Sequence, residues 1–173
     1  MTTDISGELA QHRPLDTARA YALERFTESG EVERVRKVHA EYYRDLFERA
    51  ETEWGTRPAA ECLAEYERQI NNLRAALGWA VSPDGDASTG IALATAAVPL
   101  WMHLSLIAEC RSRVEQAPAA LGAKPSRNAP RGMKLYAALA TSLIYTGGTR
   151  TELEAAWGKV ACLWLRLSRC VGN

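Results

Sequence analysis

The sequence predicts an all-α protein of antiparallel helix pairs stacked as an α-solenoid, with a short β-hairpin at its N-terminus. Three observations predict it. Apolar residues recur at three- and four-residue steps through almost every long segment. Short breaks rich in Gly, Pro and Ser separate those segments at helical lengths. Small residues (Ala92, Ala94, Ala96, Ala97; Ala137, Ala138, Ala140) fall where stacked helices need close contact.

Thr3-Asp4-Ile5 and Glu8-Leu9-Ala10-Gln11-His12 flank a Ser6-Gly7 turn and read as a hairpin, a unit that is marginal in water by itself. Leu15, Ala18, Ala22 and Phe26 then predict a helix, with Asp16 or Thr17 as its N-cap and Ser29-Gly30 as its stop. A second helical segment places Val32, Val35, Val38, Tyr42, Leu46 and Ala50 on one stripe. Its opposite face carries the i,i+4 pairs Glu33–Lys37, Arg44–Glu48 and Asp45–Arg49. Trp54-Gly55-Thr56-Arg57-Pro58 breaks it from a third segment. There Leu63, Tyr66, Ile70, Leu73, Leu77 and Ala80 form an uninterrupted series ended by Ser82-Pro83-Asp84-Gly85-Asp86.

Further helices are expected over 88–103, 106–121 and 132–146, with a polar linker from Gly122 to Pro130 and a stop at Gly147-Gly148. Thr151-Glu152-Leu153-Glu154 has the spacing of a capping box opening the last helix, in which hydroxyl and carboxylate satisfy each other's free backbone N–H groups. The pairs near 88–121 and 132–170 lie roughly 40 residues apart, close to the period of tetratricopeptide-like units.

Composition excludes more than it selects. The 21 basic and 21 acidic residues balance, but residues 1–105 carry 11 basic and 17 acidic side chains (net −6) and residues 106–173 carry 10 and 4 (net +6). The simplest consequence is attraction between the two ends of the chain. Cys62, Cys110, Cys162 and Cys170 lack the CxxC spacing of a zinc or redox site, and His12, His39 and His103 are equally dispersed, so no metal ligand set is predicted. The N-terminus has no signal-peptide pattern, which gives a cytoplasmic expectation. Gly90 to Ala108 is nearly uncharged, but Pro99, His103 and Ser105 leave it only moderately hydrophobic against the ~20 apolar residues of a span. A helix packed on several sides is expected instead.

No residue pattern calls for catalysis or a cofactor. There is no Gly-x-x-x-x-Gly-Lys-[Ser/Thr] loop for nucleotide phosphates, and Gly147-Gly148 lacks the lysine and buried strand that would make it one. The carboxylates of the second segment alternate with Arg and Lys on a solvated face, without environments that would drive their pKa values apart. Ser/His and Cys/His pairs come only from distant positions. His39 with Tyr42 and Tyr43, and Asn71-Asn72, read as packing and bridging residues at the edges of apolar stripes. Trp54, Trp79, Trp101, Trp157 and Trp164 read as core or inter-repeat anchors. Arg68, Arg74, Lys159, Arg166 and Arg169 are too sparse for a DNA-reading helix.

A resemblance adds to this reading. Four runs carry it: Leu15-Asp16-Thr17-x-Arg19-x-Tyr21-Ala22-x-Glu24 with Phe26; Ser29-Gly30-Glu31; His39-Ala40-x-Tyr42-Tyr43; and Asn72-Leu73-Arg74-Ala75-Ala76-Leu77-x-Trp79. Together they resemble bacterial transcriptional regulators that join a DNA-binding winged helix, a signal-transducing P-loop ATPase of the NB-ARC type, a second winged-helix region and a tetratricopeptide-like tail. Leu15 to Phe26 is similar to the helix closing the ATPase-associated winged helix. Thr3 to His12 resembles the hairpin before it, and residues 60–121 resemble the start of the tail. Pro14, Pro118 and Asn128-Ala129-Pro130-Arg131-Gly132 depart from the family pattern, and the likeness fades from Cys162 onward. A proline inside a helix costs ~3 kcal/mol or more, so Pro118 is expected to kink or end its segment.

The resemblance implies an organisation of 1–14 as a remnant winged-helix hairpin, 15–58 as connecting helices and 59–173 as truncated tetratricopeptide-like repeats. It implies a non-catalytic regulatory fragment whose family-motif residues are structural, with no cofactor, no membrane and no direct nucleic-acid contact. Its partner would be a protein, or the ATPase and winged-helix modules of the parent architecture. The departures suggest a truncated reading frame. A stand-alone helical-repeat adaptor is the alternative, and a small-ligand or DNA-binding module a further one.

Overall fold

A computed structural model describes residues 2–4, 11–13, 31–116 and 129–171. The protein is all-α apart from one short strand pair, and the chain divides into two compact units, Met1–Arg36 and Lys37–Asn173. In the first unit, β1 (Thr2–Asp4) pairs antiparallel with β2 (Gln11–Arg13), with Thr3 opposite His12. The expected Ser6-Gly7 turn and the expected helix at Leu15–Phe26 lie outside the described residues. Helix α1 (Val32–Glu53) begins in this unit, where Arg36 pairs with Glu33 at 2.9 Å.

The second unit continues α1 and adds α2 (Ala59–Tyr66), a 3-10 turn (Glu67–Gln69), α3 (Ile70–Ala80), α4 (Ala87–His103), α5 (Ile107–Gln116), α6 (Ala129–Tyr145) and α7 (Arg150–Val171). Consecutive helices pack on one another from α3 through α7, and α4 also meets α2 and α6. Helix α4 is therefore the centre. Its residues from Thr89 to Val98 are all buried, as are Leu100 and Trp101. A helix apolar all round has no solvent face to offer and sits in a core. That accounts for the Gly90–Ala108 run, and no helix among the described residues is long and apolar enough to cross a membrane. Phe47, Leu73, Leu93, Val114 and Leu135 bring five helices into one cluster around it. Ala140, Leu143 and Ala156 form a smaller cluster between α6 and α7.

The helix ends follow local chemistry. Asp86 caps α4, its carboxylate accepting from the Ser88 and Thr89 backbone N–H groups at 3.1 and 2.9 Å and from the Thr89 hydroxyl at 2.6 Å. Gly85 just before it admits no side chain, because a Cβ there would lie 2.1 Å from the Trp79 carbonyl oxygen. Helix α4 runs through Pro99 and closes with the Leu106 N–H on the Trp101 carbonyl at 2.8 Å, which places Ser105 at φ 56°. Helix α6 ends the same way: Gly148 N–H bonds Leu143 O at 2.8 Å and Gly147 takes φ 71°. The glycine pair is a helix-to-helix turn.

Several sequence expectations are corrected. The buried face of α1 holds Ala40, Phe47 and Ala50, with Tyr43 and Leu46 partly buried, whereas Val38 and Tyr42 are each 57% exposed and Val35 47%. The valines and Tyr42 set the expected stripe, but the bulkier Phe47 decides which side meets the core. Arg44 bonds the adjacent Asp45 at 2.8 Å instead of Glu48. Glu48 and Glu51 instead turn to Arg131 and Lys134 of α6, at 2.6 and 2.5 Å. The third segment is two helices joined by the 3-10 turn, across which its apolar series continues unbroken. Helix α6 starts at Ala129, earlier than expected, with Pro130 in its first turn, where a missing N–H costs nothing. Pro118 lies outside the described residues.

The capping box of α7 opens two residues earlier than expected. Thr149, and not Thr151, is the N-cap: the Glu152 carboxylate accepts from the Thr149 N–H at 2.7 Å and its hydroxyl at 2.8 Å, while the Glu152 N–H reaches Thr149 Oγ1 at 3.3 Å. Both threonines precede a glutamate by three residues, so spacing alone does not choose between them. Trp79 and Trp101 are buried anchors, but Trp157 and Trp164 of α7 are about half exposed, at 48% and 57%.

Candidate functional site

Of the residues singled out in the sequence, His39, Tyr42, Tyr43 and Asn72 meet at the joint between α1 and the α2–α3 segment. His39 and Tyr43, one turn apart on α1, pack with their rings tilted by 48° and centroids 4.6 Å apart, and Tyr42 meets Tyr43 edge-on at 5.1 Å. The Tyr43 hydroxyl donates to Gln69 Oε1 at 3.2 Å, and Asn72 Nδ2 donates to the same oxygen at 3.0 Å. Asn72 also hydrogen-bonds His39. Burial holds the His39 pKa below its ordinary value, with Asn72 opposing weakly, and burial raises that of Tyr43, with Tyr42 adding to it. This is a stitch between helices: an imidazole, the Tyr43 phenol and two amides joined by hydrogen bonds, with the Tyr42 ring packed edge-on beside them.

Two ionic nodes flank it. Glu53, at the end of α1, accepts from Tyr66 at 2.9 Å and Arg57 at 2.6 Å, and Arg57 also reaches Glu65 at 3.0 Å. The Tyr66 hydroxyl and then Arg57 hold the Glu53 carboxyl below its usual range, while burial and Glu53 raise the Tyr66 phenol. Arg74 grips Glu109 of α5 with both forks, at 2.9 and 2.6 Å, and bonds Asn71 at 3.2 Å. Arg74 accordingly lowers the Glu109 pKa. Bidentate guanidinium–carboxylate contacts fix geometry as well as charge.

Leu73, Leu77 and Trp79 point into the core. Ala75 lies on the exposed side of that run of α3. Leu15, Asp16, Thr17, Arg19, Tyr21, Ala22 and Glu24 lie outside the described residues. Sequence reading missed Gln69, the hub of the stitch, because a surface glutamine carries no periodic signal. It also missed Arg111, which joins Glu115 at 2.8 Å, Thr146 at 3.0 Å and Glu152 at 3.3 Å and so fastens the α6–α7 turn to α5. Cys62 and Cys110 are buried and Cys162 is exposed, and burial pushes the Cys110 thiol up despite a hydrogen bond with Ser142. A raised pKa makes a poor nucleophile. Among the described residues no group of three His, Cys, Asp or Glu is placed to hold a metal ion.

Proteins named "Putative HTH-type transcriptional regulator" in Mycobacterium tuberculosis and Mycobacterium bovis are 34% identical to this chain over 91 residues. The match takes in 53% of the chain and 10% of each relative, so the chain aligns with only a small part of those proteins. No family model and no solved structure matches. The chain is thus similar to a segment of transcriptional regulators.

Proposed function

We propose that this chain is a non-catalytic helical regulatory region, equivalent to part of a bacterial signal-transducing transcriptional regulator that couples winged-helix and NB-ARC-type ATPase modules to a tetratricopeptide-like tail. The observation that carries the reading is the 91-residue similarity to a segment of much longer regulators. The contact pattern supports it. Consecutive helices pack pairwise and α4 also reaches back to α2 and forward to α6, as helices in stacked pairs do. The Tyr43–Gln69, Tyr66–Glu53 and Arg74–Glu109 contacts each join one helical segment to another. Its partner in this reading is a protein, including the other modules of such a regulator, and not DNA.

Segment exchange tests it. The aligned segment of the Mycobacterium tuberculosis relative is replaced by that of this chain, and transcription in the host is compared with the parent and with a deletion. Retained regulation is the expected result; a stable, abundant chimera that behaves like the deletion contradicts it. A second reading, a free-standing interaction adaptor, is favoured by the half-exposed Trp157, Trp164 and Leu165 of α7. Capture of one defined partner by the isolated chain, lost on Trp164→Glu, would select it.

A further inference from the structure

A cleft of about 250 Å³ opens where the end of α3, the start of α4 and the end of α5 meet. Its floor is apolar, made by Leu77, Ala80, Ile91 and Ala94. Val81, 59% exposed, stands at its edge, with Arg113 and Gln116 of α5 as the polar side chains opposite.

Arg113 gives the cleft its chemistry. The acidic side chains nearest it on its own helix are Glu109, one turn back, whose carboxyl its charge helps to hold below the usual range, and Glu115, two residues on and so turned to another side of the helix. Both are taken: Glu109 is held bidentate by Arg74, and Glu115 by Arg111 at 2.8 Å. Asp86, on the α4 side, is committed to capping that helix. Among the described residues, Arg113 makes no hydrogen bond or ion pair, although it is half-buried and lines an apolar hollow. A guanidinium there is suited to a carboxylate, which it bonds with two parallel N–H groups.

We propose that this cleft binds a small monocarboxylate with an apolar tail, the carboxylate on Arg113 and the tail against Leu77, Ile91 and Ala94. The volume lies below the ~300–1,000 Å³ of sites for drug-sized ligands, which selects a short aliphatic or single-ring acid. Three helices of the core border the cleft, so occupancy would brace the α3–α4 turn against α5. The inference is independent of the regulatory reading above.

Octanoate, with 1-octanol as its uncharged control, tests it on the full chain by amide and guanidinium NMR. Saturable shifts at Gly85, Ala94 and the Arg113 Nε–H with octanoate are expected. Arg113→Gln should weaken octanoate about tenfold or more and leave octanol unchanged, since a charge-assisted hydrogen bond is lost and the apolar contact is not. Arg113→Lys should recover part of the affinity. Ala87→Leu, at the exposed mouth, should weaken both probes, and the melting curves of the variants should match the parent. Shifts scattered over the surface, shifts equal in Arg113→Gln and parent, or none at millimolar octanoate would each overturn the proposal.

Discussion

At the scale of single residues, the backbone of Ser105 makes a sharp prediction. A non-glycine residue at φ 56° carries strain of roughly 1–2 kcal/mol. Ser105→Gly should therefore raise stability in urea by about 0.5–1 kcal/mol, the gain from relieved strain being partly offset by a more flexible unfolded chain. No gain would mean that the turn is held by something other than the α4 termination bonds. Gly85→Ala should do the reverse, lowering stability by about 1–3 kcal/mol, as its Cβ collides with backbone that cannot swing away. His39 adds a pH dependence. Its pKa is lower in the folded state, so between that value and its unfolded value near 6.5 the unfolded chain holds the extra proton and stability rises with pH. Acidification below pH 6.5 should lower the melting temperature before carboxylate protonation begins, and His39→Asn should flatten that first decline. An unchanged slope in the variant would remove His39 from the account.

At the scale of elements, the two threonines before α7 separate two readings of one motif. Thr149→Ala should cost about 1 kcal/mol, while Thr151→Ala, at the exposed second position of the helix, should stay within about 0.5 kcal/mol. Equal effects, measured by chemical denaturation, would contradict the cap assignment. The same comparison shows what the sequence makes legible. Helix existence is readable from period and breaker chemistry: α4 and the Gly147 stop fall within a residue or so of expectation, since caps and left-handed turns are encoded locally. Which face of α1 turns inward is not readable, because Val35, Val38 and Tyr42 compete with Phe47 for the apolar stripe, and only packing against the core, where Phe47 meets Tyr66 of α2, decides. The ionic stitches Glu48–Arg131 and Arg74–Glu109 span 83 and 35 residues, so no local pattern marks them. The family-motif residues on α3 were visible as a run, but their function as joints appears only when Gln69, Asn72 and Tyr43 converge.

At the scale of the molecule, α4 is the buried centre of the second unit's helices, and among the described residues α7 is fastened chiefly through α6 and the Arg111 node. Stability should then grade outward from α4, because exchange of an amide requires the unfolding of whatever covers it. Native-state hydrogen exchange on the full chain measures this directly. Amides from Ile91 to Trp101 are predicted to be the slowest, opening only with global unfolding, and those in the second half of α7 the fastest among the helices of the second unit. Amides of α4 that exchange as readily as those of α7 would contradict the account.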